Sequence, residues 1–483
     1  MEPVRHFAPF PKSPRKSPKS SFRAMDKPDL STSPRAIWRL TWPQLVMMYV
    51  MAVMTLTPVW TAGRFGADVQ AGLGMANQCT LFLSVICLAI TSGATAAVSQ
   101  SLGALKITRA NYYITTTMGL SLALGLVMGV LGWFFSGHIL ELMQIHEDIR
   151  PVAETIWRIF MVGLPFQYMY TASGVIFRAT RRVIPPLIVA SLVTVFHALV
   201  CFGTSFGLFG LPQWGYLGIA WATVAAQIFG SSINLFILYR DGYLRRGHIP
   251  PLVWLKKGLP YLLKVAIPAG FASLVWQSGY LVLFILVASV PNECVAALAG
   301  LTAGLRIEGF IFMPAMAFNM SASVLVGNCL GAGNEKEARR VCLSLLRTAV
   351  LVMSLMALVI WPFREEISQA FSTDAATQGY IVSYLFYNLL STPFSVASTV
   401  LGGVMVGAGA THYNLMVFGG SFWGLRLPLG YFLGHVFWGN ANGIFLAMLI
   451  SQVLQTLVML VIFFKAGWTK HTMRAHMQRK KQA

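Results

Sequence analysis

Acidic side chains are scarce in this chain: 16 of its 483 residues are Asp or Glu, against 36 Lys and Arg. Charged residues of both signs make up 11%, hydrophobic residues 56%, and mean hydropathy is +0.65. That balance excludes an ordinary soluble domain, where charged residues form about a quarter of the chain. Cysteine is sparse too. Cys79, Cys87, Cys201, Cys294, Cys329 and Cys342 form no C-x-x-C pair, so no metal centre or disulfide frame is expected. H-E-x-x-H, G-x-S-x-G and P-loop signatures are all lacking. Without them, and without several polar groups gathered at one depth, an enzyme is not expected.

What the chain has instead is long apolar runs. Twelve stretches can each cross a hydrocarbon layer of about 30 Å, which takes about 20 helical residues. Their approximate bounds are 43–62, 73–100, 112–134, 153–175, 185–209, 216–239, 262–290, 295–327, 343–363, 380–405, 413–437 and 443–465. The runs are continuous rather than alternating, and lipid offers no partner to open backbone groups, so they are helices and not barrel strands. The expected fold class is all-α integral membrane with twelve transmembrane helices, and no cleavable signal is expected ahead of them.

The basic residues orient these spans. The segment up to Arg39, the loops after spans 2, 4, 6 and 8, and the segment from Lys465 together hold 30 of the 36 Lys and Arg. The opposite loops hold Arg64, Arg150 and Arg364, and Arg158, Arg306 and Arg426 fall within spans. The positive-inside rule places both termini in the cytoplasm. The net charge of +20 is then a fringe facing anionic lipid, and no nucleic-acid partner is expected. Residues 1–35, with "FPKSPRKSPKSSFR", have too little apolar surface to fold and read as a disordered basic tail. Met25 is an alternative start.

The chain also repeats itself. A shift of about 225–229 residues brings Pro43 onto Pro268, "VSQSLGA" (98–104) onto "VGNCLGA" (326–332), Gly174 onto Gly402, and "GIAWATVAAQ" (218–227) onto "GIFLAMLISQ" (443–452). The chain is therefore expected to be a tandem duplication of a six-helix unit. An even number of crossings gives both units one orientation, with a pseudo-two-fold axis along the membrane normal. The expected divisions are a tail (1–35), an N-lobe (36–239), a cytoplasmic linker (240–261), a C-lobe (262–465) and a second basic tail (466–483). Gly103 and Gly331, which coincide in the repeat, end the second span of each unit. Small residues there permit close helix approach, and helix termination alone would also explain them.

"VSQSLGALKITRA", "GVIFRATRRVIPP" and "RIEGFIFMPAMAFNMSASVLVGNCLGAGNEKEARR" resemble the multidrug and toxic compound extrusion (MATE) family. The resemblance covers about residues 37–465. It implies two six-helix lobes around a central cavity that opens alternately to either side, with export driven by inward flow of H+ or Na+. It also marks departures. Proton-driven bacterial relatives often carry an Asp near the end of the first helix and another within the fifth. Anchoring on "AGRFG" (62–66) and "CFG" (201–203) puts Pro58 and His197 at those positions. Other members use acids on the seventh and tenth helices, where this chain offers Gln277 and Asn388.

Of the 16 acidic residues, only Glu308 falls well inside a span. It lies about 14 residues into the eighth, ~20 Å along the helix, where an ionisable group is a functional candidate by default. The alternative is a structural ion pair with an arginine such as Arg426. Arg306, two residues away, faces elsewhere. His197 is the second ion-coupling candidate, since histidine titrates near neutrality, although a lone helical histidine also serves in packing. For the substrate cavity the candidates are Met47, Met51 and Met54 at helical spacing, Tyr168, Trp276, Gln277, Tyr280, Asn388 and Arg426. Thioethers and aromatic faces suit varied cationic amphiphiles, and equally suit packing.

The expected function is thus secondary-active, cation-coupled antiport that exports amphiphilic drugs or metabolites. The alternative is a lipid or oligosaccharide flippase of the same superfamily, for which several cavity arginines or lysines would be expected. No cofactor beyond H+ or Na+ is expected. The partners would be small molecules and membrane lipid, the chain a monomer, and its place a bacterial inner (plasma) membrane.

Overall fold

The computed structural model describes residues 33–142 and 149–473. Expectations for the tail before residue 33, including Met25, and for 474–483 lie outside the described residues. The helices are α1 (Pro34–Gly63), α2 (Ala67–Gly103), α3 (Ile107–Phe134), α4 (Ser136–Leu142), α5 (Arg150–Ala179), α6 (Ile184–Phe206), α7 (Leu217–Arg240), α8 (Leu252–Ala288), α9 (Cys294–Gly331), α10 (Glu335–Ile360), α11 (Arg364–Phe371), α12 (Ala375–Ala408), α13 (Thr411–Ser421), α14 (Leu427–Tyr431) and α15 (Ala441–Lys465). No strand occurs among the described residues.

Local chemistry sets several of the helix starts. Asn334 caps α10 by accepting from the Glu337 amide at 3.1 Å. Asp374 caps α12, accepting from the amide and hydroxyl of Thr377 at 2.8 and 2.7 Å, the usual way an orphan amide is satisfied. Those two bonds, the hydroxyl's first, hold the Asp374 carboxyl below the usual carboxylate range.

The helices turn apolar faces outward as well as inward, and bury polar side chains among the apolar ones of the interior. On α6, Ile188, Leu192, Val195 and Leu199 make one exposed stripe, and Leu351, Leu355 and Leu358 make another on α10. Meanwhile Ser99, Gln100, Asn328 and Gln455 are buried. Contiguous exposed apolar faces of this length need lipid, and the protein is a multi-pass membrane protein.

Eleven helices among the described residues are long and apolar enough to cross a membrane, against twelve expected. The difference is the 413–437 span. It is helical from Thr411 to Phe437, but π-helical segments at Phe422–Arg426 and Phe432–Phe437 divide it into short α pieces. Pro428 has no amide to return to the preceding turn, and Gly424, Gly430 and Gly434 lower helix preference around it.

The two repeated motifs meet each other. Where α2 crosses α9, a Cβ on Gly103 would overlap the Asn328 carbonyl, and one on Gly331 would overlap the Gln100 carbonyl. The contact is reciprocal, as a two-fold relation between the motifs requires, so close approach as well as helix termination explains these glycines. Around it, Gln100 donates to Gly407 O at 2.8 Å and accepts from Tyr261 at 3.1 Å and from the Met473 amide at 2.8 Å. Thr41 and Gln44 on α1 each reach Ser321 on α9 at 3.0 Å. The first helix of each repeat thus packs at one end against the second helix of the other.

Two segments expected as linker and tail are partly structured. Residues 252–261 already belong to α8, with Trp254 edge-on to Tyr113 at 4.8 Å. After α15, Trp468 is fully buried, stacks on Phe463 at 5.4 Å and donates to its carbonyl at 2.9 Å. Aromatic anchors hold segments that charge counting assigned to solvent. Trp468→Ala should lower stability by about 3–5 kcal/mol, and a thermal unfolding midpoint unchanged in purified protein would contradict that.

Candidate substrate and ion cavity

A cavity of about 650 Å³ is walled by α8, α9, α12, the 411–437 helix and α15, with Leu81, Val85, Leu88 and Ser92 of α2 closing one side. The resemblance implied a cavity central to two lobes; this one is built mostly from the second half of the chain. Its lining holds one carboxylate, Glu308, and one cation, Arg426.

Glu308 faces α12, where the Tyr384 hydroxyl donates to its carboxylate and Asn388, one turn on, also reaches it. The two partners recur at helical spacing, so a single face of α12 fixes the carboxylate. Arg426 ends the first π segment. It donates from Nε to Ser451 Oγ at 2.8 Å and from a terminal nitrogen to Gln452 Oε1 at 2.7 Å. Gln452 and Gln455 in turn both donate to Ser398, at 3.2 and 3.1 Å. The guanidinium also lies 4.5 Å from the Phe422 ring centroid and 5.7 Å from that of Trp276. Trp276, Tyr280 and Phe422 meet edge-on at 5.1 to 5.4 Å, making an aromatic wall.

No salt bridge joins Glu308 to Arg426. The ion pairs found among the described residues lie elsewhere, at Arg150–Glu141, Arg158–Glu154, Arg182–Asp241 and Arg340–Glu337. Neutral partners hold each group, while the two charges still lie near enough to act on each other across the cavity. Arg306 is exposed on another face of α9, beside Phe371 and Thr302.

Of the residues singled out in the sequence, the structure gathers Glu308, Trp276, Gln277, Tyr280, Asn388 and Arg426 around this cavity. It places the others away from it. Met47 is buried and Met51 exposed on α1, and neither lines this cavity. Met54 packs on the small core of Val189, Val193 and Ala226. Tyr168 is fully buried, its hydroxyl donating to Leu83 O. Their α1 and α5 surfaces are covered by neighbouring helices or exposed away from this lining, which helical spacing alone does not reveal. His197 is also fully buried, with Nε2 3.3 Å from Thr223 Oγ1 and Nδ1 unpartnered, and does not reach the cavity. Pro58 lies within α1.

Sequence reasoning does not single out Tyr384, Ser398, Ser451 or Gln455, and it makes Gln452 a landmark of the repeat and nothing more. Gln452 and Gln455, three apart in a mostly apolar span, put two amides on one helix face, and that spacing is the signal that points to them. Among the described residues, no three His, Cys, Asp or Glu gather closely enough to hold a metal ion.

Comparison with known proteins agrees with this picture. A protein from Thermotoga maritima named "Probable multidrug resistance protein NorM" is 23% identical over 413 residues, covering 84% of this chain and 87% of that protein. "Protein DETOXIFICATION 36" of Arabidopsis thaliana is 25% identical, covering 91% and 86%. A solved structure described as the outward-facing conformation of a multidrug resistance MATE family transporter superposes with a TM-score of 0.83 at 17% identity, over 91% of this chain and 97% of that one, and so shares the fold. The family model MatE matches residues 43–202 and 268–432, with the unmatched interval falling between the two repeats. Reaching across both repeats and well over half of the sequence, that match makes this chain a member of the multidrug and toxic compound extrusion family.

Proposed function

We propose that the protein is a cation-coupled antiporter that exports amphiphilic drugs or metabolites by alternating access, with H+ or Na+ as the coupling ion. The observation that carries this reading is Glu308: it is the one carboxylate lining a drug-sized cavity, and Tyr384 and Asn388 hold it without a direct salt bridge. Such a group can bind a proton, a sodium ion or a positively charged substrate, one at a time, which is the exclusion that couples opposed fluxes. Most of its wall is apolar or aromatic, which suits ligands of varied shape.

In this reading the chain is arranged as two six-helix lobes, 36–239 and 262–465, with the 411–437 helix counted as a full crossing and a linker at 240–261. Both termini lie in a bacterial cytoplasm, so the Gly103–Gly331 crossing closes the inner side. The chain acts as a monomer in lipid, without further cofactors and without chemistry on its substrate. The partition of Lys and Arg among its loops supports this orientation.

The test is flux in proteoliposomes. An imposed pH or Na+ gradient should drive uphill movement of a cationic dye, and dye addition should in turn move the ion. Flux indifferent to both gradients would overturn the antiport reading. His197→Asn, remote from the cavity, should keep the parent's pH dependence.

A further inference from the structure

Residues 467–473, which follow α15, leave the half of the fold they grow from. Trp468 is moored in the second repeat: it stacks on Phe463, and the guanidinium of Arg339 lies 5.4 Å from its ring centroid while donating to the Phe463 carbonyl at 2.9 Å. Five residues on, Met473 is 1% exposed and belongs to the core that α2, α3 and α5 build in the first repeat. Its amide donates to Gln100 Oε1 at 2.8 Å, and its sulfur lies 3.9 Å from the Tyr113 hydroxyl. Gln100 also ties the two repeats together through Gly407 O at 2.8 Å, one turn before Gly103 at the crossing of α2 and α9. Thr469 and Thr472, between the two anchors, are buried as well. The segment is a strap with one end in each repeat.

We infer that this strap is a latch on the inner side: the two repeats part there only when Met473 leaves its seat beside Gln100. The inference rests on the reading of the chain as an alternating-access carrier with its termini in the cytoplasm, and adds the element that governs inner opening. Five residues reach at most about 17 Å when fully extended, so a strap held at both ends limits how far the repeats can swing apart. Its weaker end must let go. Trp468 is held by a stacked ring, a guanidinium and its own indole bond to Phe463 O. Met473 is held by one amide bond and a flexible thioether, a side chain suited to entering and leaving an apolar seat. Release also takes a donor from Gln100, so unlatching loosens the crossing at the same step.

The test reads the inner side directly. Lys106 and Lys336 are exposed just beyond Gly103 and Gly331, so cysteines there carry spin labels across the crossing, with Cys294, the one cysteine that is not buried, replaced by serine. In nanodiscs at equilibrium, Met473→Ala should enlarge the long-distance, open population about tenfold over the parent, the usual effect of losing most of one buried methionine side chain. Met473→Leu, which refills the seat, should keep the parent's distribution. A folded Met473→Ala with the parent's distances overturns the inference. In a second measurement, Met473→Cys should react with a water-soluble maleimide several-fold faster while dye flux runs than at rest, because the seat empties in each cycle. An equal rate also overturns the inference, and decides the matter if Met473→Ala fails to fold. The spin-label distances need no ion gradient, whereas dye flux under gradients judges the antiport reading, so the two can fail independently.

Discussion

Gly103→Leu and Gly331→Leu, made singly, should each remove nearly all folded, transport-competent protein. At both positions even a single added carbon would overlap a backbone carbonyl of the opposite helix. A side-chain neighbour could rotate aside, but a carbonyl inside a hydrogen-bonded turn cannot move without moving the helix. Overpacking in an ordinary core costs about 1–3 kcal/mol. Here the obstacle is backbone on both sides, so the cost is at the top of that range or above it, a large part of a typical stability of about 5–15 kcal/mol. Parting α2 from α9 would also strain the bonds that Gln100 makes to Gly407, Tyr261 and Met473. Gly119→Leu on α3 is the control, since nothing lies within 4 Å of a Cβ there. Monodisperse yield, unfolding temperature and dye flux should all collapse for the two crossing variants and hold for the control. A Gly103→Leu protein with the parent's yield and flux would show that the crossing is looser than described.

The second large effect concerns coupling. Glu308→Gln should abolish gradient-driven export, by about 100-fold or more, while leaving the fold intact. Glutamine keeps the length of the side chain and can still accept from the Tyr384 hydroxyl, but it can neither release a proton nor neutralise a cation. An exchange that depends on one site being emptied before it is refilled then loses its ion arm altogether; a loss of that size corresponds to about 2.7 kcal/mol of coupling. Tyr384→Phe should be milder, weakening the hold on the carboxylate and altering the dependence of flux on pH or Na+ without removing it. Both variants should give monodisperse protein, because no direct salt bridge to Glu308 is broken and Arg426 keeps its own bonds to Ser451 and Gln452. Should stable Glu308→Gln exchange dye at the parent rate with the parent's ion dependence, Glu308 is a structural residue and the antiport reading needs another site.

Part of this architecture is legible in the amino-acid sequence. Composition and run length alone require a multi-pass helical membrane protein, because backbone groups in lipid must be satisfied within each segment. The coincidence of Gly103 with Gly331 points to a repeat, and the arithmetic of acidic residues singles out Glu308. Those signals are local or statistical, and the chain carries them in one dimension. The tertiary structure decides what faces what. Met47, Met51, Met54 and Tyr168 satisfy the same spacing and chemistry as cavity residues, yet none lines the cavity, since burial depends on which helix lies alongside. Trp254 and Trp468 sit in basic segments that charge counting gives to solvent, and packing draws them in. The 413–437 span reads as one more apolar helix, but Pro428 and the nearby glycines let it take π turns, and the first of these ends on Arg426. Most of all, the setting of Glu308 and Arg426 is a property of three-dimensional packing: sequence places the two charges 118 residues apart, whereas the fold brings both to one cavity wall and gives each its own neutral hydrogen-bond partners.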